Sequence, residues 1–357
     1  MPEPWIMEHL PFTQAQRDAL EALGLLAEAN PEARQILSMD AAALASGSAA
    51  LCSTSQEQRA AFGALWALYP ALVLLGGVPR LKQLYEEKRI DPHFMWDVLS
   101  DLPLWMRNYE RQNGRLGLAE YGWLTHALNF RLFRLGRLEY IYNTSRVPAR
   151  VYRRVRTGEL CVLADGGLRF RRDGQLADAG EEARQTQWEE RDGAAYGTAL
   201  LPTGLPEGKP ACLPLGEWQR VLSPGDPILE VHIPEGPPLL PAQTQGSLRD
   251  APAFFRKHLG ITDARAFTCC SWLMSPALPL LLPGSGIAAF QQLFRAVPYT
   301  ADDSQIFERV YGRPLTRWED MPMETRLQRA VGQWYLQGGN CRQMAGFRLM
   351  GAEGAVE

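Results

Sequence analysis

The sequence predicts an α+β protein, a helical N-terminal domain followed by a mixed-sheet domain. Three observations lead there. Apolar residues in the first third recur at helical spacing between recognisable caps. From residue 131 the pattern turns to alternating, strand-like runs. Further on, strand, helix, strand, helix and strand follow one another, an order that suits a mixed sheet with helices packed on it. The 357 residues leave room for two domains at roughly 150 residues each. The expected division is 1–118 for the helical domain and 119–357 for the sheet domain.

Residues 14–29 carry Leu20, Leu23 and Leu26 at helical spacing, and Pro31 marks the next helix start. Thr54-Ser55-Gln56-Glu57 is a capping-box pattern leading into AAFGALWALYPALVLL. Asp91-Pro92 opens HFMWDVLSDLPLWMRNYERQNG, which should bend near Pro103 and end at Gly114. Its Trp96, Leu99, Leu102 and Met106 form a stripe that reads as core. RLFRLGRLEYIY has strand character, and GELCVLADGGLRFRRDGQL reads as a hairpin turning at Asp165-Gly166-Gly167. Residues 177–226 are rich in Gly, Pro and charge, which predicts short strands and long loops. A strand at ILEVHI, a helix around residues 253–258, the apolar strand RAFTCCSWLM and the helix IAAFQQLF follow. RAVPY and QIFERVYG complete the pattern as strand-like pieces.

Hydrophobic residues at 46% and charged residues at 22% give an ordinary globular balance. A net charge of -3 argues against nucleic acid as a partner, because phosphate binding favours a basic surface. None of the six cysteines lies in a C-x-x-C pair, and no His/Cys spacing suits zinc, so no metal is expected. MPEPWIMEHLPF lacks a basic region followed by an apolar one, so a reducing, cytoplasmic setting is expected. Residues 60–79 carry no charge, and about 20 apolar residues can span a bilayer. Tyr69-Pro70 interrupts that run and Gly76-Gly77 with Pro79 close it, which favours a buried, kinked helix over a membrane span.

The stretch ILEVHIPEG poses the main functional question. Leu229, Val231 and Ile233 alternate on one face, leaving Glu230 and His232 together on the other. They are either a solvated surface pair, worth 0 to about 1 kcal/mol, or they point into a site that uses them. On RAFTCCSWLM, Thr268, Cys270 and Trp272 share one face and Cys269, Ser271 and Leu273 the other, as in a packed strand with an interior Trp. Cys270 would act as a nucleophile only if something lowered its pKa. The arginines Arg146, Arg150, Arg153, Arg154, Arg156, Arg169, Arg171 and Arg172 read as a solvated sheet face or as contacts to phosphates.

DPILEVHIPEG, SLRDAPAFFRKHLG, RAFTCCSWLMSPAL and IAAFQQLF, with DLPLWMRNYERQNGRLGL and FRLGRLEYIY upstream, resemble bacterial GNAT-like acyltransferases. In that family a helical N-acyltransferase N-terminal domain precedes a GNAT-like C-terminal domain, and the resemblance covers most of the chain. It implies an acyl-CoA-dependent N-acyltransferase, with a coenzyme A thioester as co-substrate and a small-molecule or peptide amine as acceptor. It also implies that strands 228–233 and 266–273 splay, with the thioester in the gap.

The site residues follow from the same resemblance. An attacking amine must be neutral, so a base is wanted beside the strand. His232, with an ordinary pKa of about 6.5, or Glu230 would supply it. Ser271 would protonate the leaving thiolate or bond the substrate, and Trp272 would wall the acyl slot. Val231 and Ile233 would meet the cofactor along the strand, and Glu139 could reach the groove from a neighbouring strand. Ser247 to Asp250 make a possible helix start, with Pro252 in its first turn, whose N–H groups would receive the pyrophosphate. The family's Q/R-x-x-G-x-G/A phosphate loop is replaced by PEGPPLLPAQTQGSLRD. That departure keeps open a second reading, a non-catalytic ligand- or partner-binding protein on the same scaffold.

Overall fold

The computed structural model describes residues 2–172, 175–312 and 317–351. The architecture is α+β, as expected. It divides into two units, Met1–Leu135 with Glu139–Ile141, and Gly136–Leu138 with Tyr142–Glu357.

The first unit is built from the helices Pro4–His9, Gln14–Ala29, Pro31–Ala45, Ser55–Phe62, Tyr69–Glu87, Pro92–Leu99, Asp101–Asn113 and Tyr121–Leu128. Thr13 and Thr54 both close reciprocal capping boxes, with Gln16 and Glu57. The Thr54 helix is short. It stops at Phe62, and Gly63, at φ 54, leads into a 3-10 turn before Tyr69. The following helix does not end near Pro79 but continues to Glu87. Leu72, Val73, Leu74, Leu75, Val78, Leu81 and Tyr85 are all buried, and their burial outweighs the ~3 kcal/mol cost of an interior proline. By length and mean hydropathy (1.8) the Ser55–Glu87 segment could cross a membrane, yet 67% of its apolar window is buried inside the protein.

The next helix breaks at Ser100 rather than bending at Pro103. Arg134 donates to Ser100 Oγ at 3.1 Å, pairs with Asp101, and bonds Glu139 Oε1 at 2.7 Å, fixing the junction. Trp96 is only half-buried and stacks on His9 with ring centroids 4.4 Å apart, so it lies off the core stripe.

In the second unit, the strand ending Tyr142–Thr144 lies beside Pro227–His232, followed across the sheet by Ala266–Ser271, Met344–Leu349 and Arg295–Pro298. Pro227–His232 runs parallel to Ala266–Ser271, and the other two join antiparallel. The central strand Met344–Leu349 carries Gly346, where a Cβ would lie 2.6 Å from Met274 Cε and 2.9 Å from Phe294 Cβ. A second sheet, in the order Trp218–Leu222, Ala149–Arg154, Leu160–Ala164, Ala194–Leu200 and Trp188–Arg191, is inserted in the chain between Thr144 and Pro227. Val151, Val162 and Leu222 from this sheet join Ile228, Ala266 and Phe347 from the first in one buried cluster. The two ends of the insertion are laced together: Ser145 N–H donates to Asp226 O and Gly225 N–H to Ser145 O, each at 2.8 Å.

Several expectations for this unit are corrected. Asp165-Gly166-Gly167 does not turn a hairpin. Leu160–Ala164 pairs with Ala149–Arg154 and Ala194–Leu200, while Arg169–Phe170 pairs with Arg184–Gln185. The turn bonds to residue 186 instead, through Thr186 Oγ1 to Asp165 O at 2.5 Å and Gly167 N–H to Thr186 O at 2.9 Å. Residues 177–226 hold fuller strands than expected, among them Ala194–Leu200 and Pro206–Pro214. QIFERVYG is a helix, Ser304–Tyr311, which buries Ile306 and Tyr311 and ends at left-handed Gly312. The second parallel strand stops at Ser271, whose Oγ accepts the Leu273 N–H, and Trp272–Met274 form a 3-10 turn.

A buried carboxylate organises the first unit. Asp40 is fully buried, and its Oδ1 accepts the N–H groups of Cys52 (2.5 Å) and Ser53 (3.0 Å). Oδ2 accepts the Ser53 hydroxyl and the Tyr69 hydroxyl, the latter at 2.6 Å. One side chain thus joins the loop at residues 46–54 to the start of the Tyr69 helix. Asp40→Ala should destabilise the fold by about 3 kcal/mol, because several buried donors lose their acceptor, whereas Tyr69→Phe should cost about 1 kcal/mol. Thermal melting of the two variants checks the order.

Candidate active site

The parallel ladder is short. Ile228, Leu229 and Glu230 pair with Ala266, Phe267 and Thr268. Ala266–Ser271 nevertheless stays paired with Met344–Leu349 to its last residue, Ser271 opposite Met344. Past Glu230 and Thr268, then, the second strand holds to its antiparallel neighbour while its ladder to Val231 and His232 has ended. The parallel ladder therefore ends before either strand does.

Glu230 sits at the last rung with its side chain 8% exposed. Its Oε2 accepts Asn143 Nδ2 at 2.7 Å and its Oε1 accepts Arg146 Nη2 at 2.7 Å. His232 Nε2 lies 3.9 Å from the same Oε1, with its side chain 27% exposed. Burial raises the Glu230 carboxyl, but the His232 charge and the bonds from Asn143 and Arg146 outweigh it and hold the group below its ordinary value. The structure therefore brings His232 and Glu230 together. A carboxylate with both oxygens engaged is better suited to fixing its neighbours than to taking a proton.

Thr268 and Cys270 lie on the same face. Burial pushes the Cys270 thiol up to about 12, with Glu230 adding and Arg146 opposing, which disfavours the nucleophilic thiolate. Burial likewise raises the Tyr299 phenol, helped by Cys270 and Glu230 and opposed by Arg146, which places Tyr299 among these groups.

The remaining sequence-predicted residues lie elsewhere. Ser271 is on the opposite face of its strand from Thr268 and Cys270, and its hydroxyl caps the 3-10 turn. Val231 is buried on the face opposite His232. Ile233 and Trp272 meet on one apolar cluster with Leu273, Leu278, Ile306 and Val331. Trp272 is off the strand, and its main-chain N–H donates to Gln305 Oε1 at 3.3 Å. Ser247 marks no helix start. The helix runs Pro241–Leu259, so Ser247 is buried well inside it, and the first-turn N–H groups belong to residues just after Pro241. Glu139 is buried against Arg134 and counts with the first unit. Of the arginine stretch, Arg150, Arg154 and Arg171 pair with Asp165, Glu217 and Glu181, as a solvated sheet face would. Arg146 alone of these reaches Glu230. Pattern gave no signal for Asn143 or Tyr299, because their relation to Glu230 arises only when separate strands meet.

The turn after His232 is held from outside. Arg137 donates to Pro234 O and Pro237 O, each at 2.9 Å. At Gly286 a Cβ would meet Leu239 O at 2.2 Å, so the next helix packs directly on this turn. Pro234, Pro237, Pro238 and Pro241 have no N–H, which leaves few main-chain donors for an anion. Among the described residues, no group of three or more His, Cys, Asp or Glu is arranged to hold a metal ion.

A short parallel strand pair followed by a turn and a helix is the arrangement that the resemblance to GNAT-like acyltransferases implies. Residues 132–348 match the GNAT-like C-terminal domain and residues 1–130 the N-acyltransferase N-terminal domain, and the chain belongs to this family. No curated protein matches it. Among solved structures it is similar to an acyltransferase mutant in complex with octanoyl-CoA, at a TM-score of 0.66 and 19% identity, over 96% of this chain and 85% of the other. It is also similar to an acyltransferase in complex with decanoyl-CoA and teicoplanin, at 0.60 and 21%, over 95% and 88%. At these identities the likeness is one of fold.

The lowered Glu230 carboxyl has a consequence for stability. Its contribution is present above the ordinary value of 4.5 and is lost as pH falls through the lower folded value. The difference in melting temperature between wild type and Glu230→Gln should shrink as pH falls below the ordinary carboxylate value of 4.5.

Proposed function

We propose that this protein moves an acyl group from a coenzyme A thioester to an amine. The observation that carries the proposal is the end of the parallel ladder at Glu230 and Thr268, with His232 just past the last rung and 3.9 Å from the Glu230 carboxylate. His232 serves as the base that keeps the attacking amine neutral. Glu230, tied to Asn143 and Arg146, orients His232 and stabilises its protonated form. Main-chain N–H groups at the strand ends polarise the thioester carbonyl as charge develops on its oxygen. Ile233 and Trp272, on their shared apolar cluster, suit the acyl chain. The pyrophosphate would lie at the start of the Pro241–Leu259 helix, where the Ala242 N–H is the donor that the first turn offers, since those of Gln243 and Thr244 go to Leu240 O. Solved relatives in fold hold octanoyl-CoA and decanoyl-CoA, which supports a medium-length acyl donor, and one holds teicoplanin, which supports a peptide-like acceptor. Six free cysteines suit a reducing, cytoplasmic setting.

One observation favours a second reading, a non-catalytic binding protein. The turn at residues 234–241 contains four prolines where the family's phosphate loop offers N–H donors. Mass spectrometry of ligands that co-purify with the protein separates the readings, since retained coenzyme A supports the enzyme.

Octanoyl-CoA should raise the melting temperature by several degrees at saturating concentration, because it binds only the native state. No shift at any concentration would count against the enzyme. His232→Ala should lower kcat/KM by about 10²- to 10⁴-fold while the thermal shift with octanoyl-CoA persists. An unaltered rate would remove His232 from the mechanism.

A further inference from the structure

Arg146 is anchored at one end and open at the other. Its Nη2 donates to Glu230 Oε1 at 2.7 Å, and this is its one hydrogen bond among the described residues. The carboxylate that holds it is 8% exposed, whereas the Arg146 side chain is 60% exposed. A surface arginine ordinarily samples many rotamers. This one is oriented before any ligand arrives, and Glu230 takes only one Nη2 hydrogen, which leaves one edge of the planar fork, the second Nη2 N–H with its neighbouring N–H, to donate. His232 Nε2 lies 3.9 Å from the same Oε1, so the proposed base and the guanidinium face a single oxygen. Both oxygens of Glu230 are already bonded, Oε2 to Asn143 and Oε1 to Arg146, so a cationic acceptor finds a carboxylate whose charge is largely compensated. An amine arriving at His232 therefore meets a fixed, unfilled guanidinium rather than a free carboxylate.

We infer that the acceptor is an amine that also bears a carboxylate, as an amino acid or a peptide does, and that Arg146 receives this carboxylate through its open edge. The inference rests on the acyltransferase reading above. Two charge-assisted N–H to oxygen bonds would hold the anion and set the amine toward His232, and the match of planar fork to planar carboxylate would supply selectivity. The nearby positive charge also disfavours protonation of the acceptor amine, which helps the neutral nucleophile to form.

Calorimetric titration of the full chain with N-octanoylglycine and N-octanoylglycinamide tests this. The two product analogues share the acyl chain and differ in the anionic group. Wild type should bind the acid about ten-fold more tightly than the amide. Arg146→Gln should bring the ratio to about one, and Arg146→Lys should fall between, because a lysine restores the charge without the fork. Arg146→Gln leaves Glu230 without its cation, so the double variant Arg146→Gln/Glu230→Gln provides a form with no orphaned charge, and it too should lose the preference. Equal affinities in wild type, binding of neither analogue, or a preference retained in both glutamine variants would overturn the inference. Octanoyl-CoA titrated in parallel reports on the underlying reading. If it binds while acid and amide bind alike, the carboxylate assignment fails and the acyltransferase reading stands. If it does not bind, the acyltransferase reading itself fails.

Discussion

Glu230 carries a charge that the interior of a sheet does not readily accept, and much of the second unit can be understood as the means of accepting it. Transfer of a carboxylate out of water costs several kcal/mol unless donors replace the water. Here the donors are Asn143 and Arg146. Both lie on the chain just before or at its exit into the inserted sheet, while Glu230 lies just after its return. Neutralising one carboxylate thus requires the two crossings to be adjacent, and the bonds between Ser145 and residues 225–226 keep them so. His232 Nε2 lies 3.9 Å from the same oxygen, within reach of its charge.

Unequal pairing marks the end of the parallel ladder beside it. The Ala266–Ser271 strand has an antiparallel partner along its whole length and a parallel partner for only half of it. Gly346 on the antiparallel side lets Met274 and Phe294 approach the backbone closely, and this tight packing keeps the strand with Met344–Leu349. Pro227–His232 is anchored separately, through Glu230 to Asn143 and Arg146 and through the following turn to Arg137. On the far side, Ile233 and Trp272 drop into an apolar cluster, so polar and apolar requirements are separated across a few residues.

The sequence made much of this legible where the cause was local. Caps at Thr13 and Thr54, the stop at Gly114, and the alternation that puts Glu230 and His232 on one face are all properties of neighbours in the chain. Errors came where distant segments decided. Pro79 reads as a helix breaker until the burial of Leu75, Val78 and Leu81 is known. Asp165-Gly166-Gly167 has hairpin composition, but Thr186 captures it. Ser247 resembled a helix start because Pro252 follows it, yet the helix had already begun at Pro241. QIFERVYG has apolar residues that suit a strand or a short helix equally, and packing of Ile306 and Tyr311 chose the helix. Arg146 was visible as one arginine in a basic run, but its difference from the others depends on Glu230, far along the chain.

The inserted sheet has one more implication. Its entry and exit are stitched by reciprocal main-chain bonds that involve no side chain, so the join does not depend on which residues fill the insertion. The fit of the two sheets is a separate matter, carried by side chains, since Val151, Val162 and Leu222 share a core with Ile228, Ala266 and Phe347. The crossing is set by the main chain and the docking by apolar contact, so a core substitution would loosen the sheets from one another while the seam beside Asn143 and Glu230 still held.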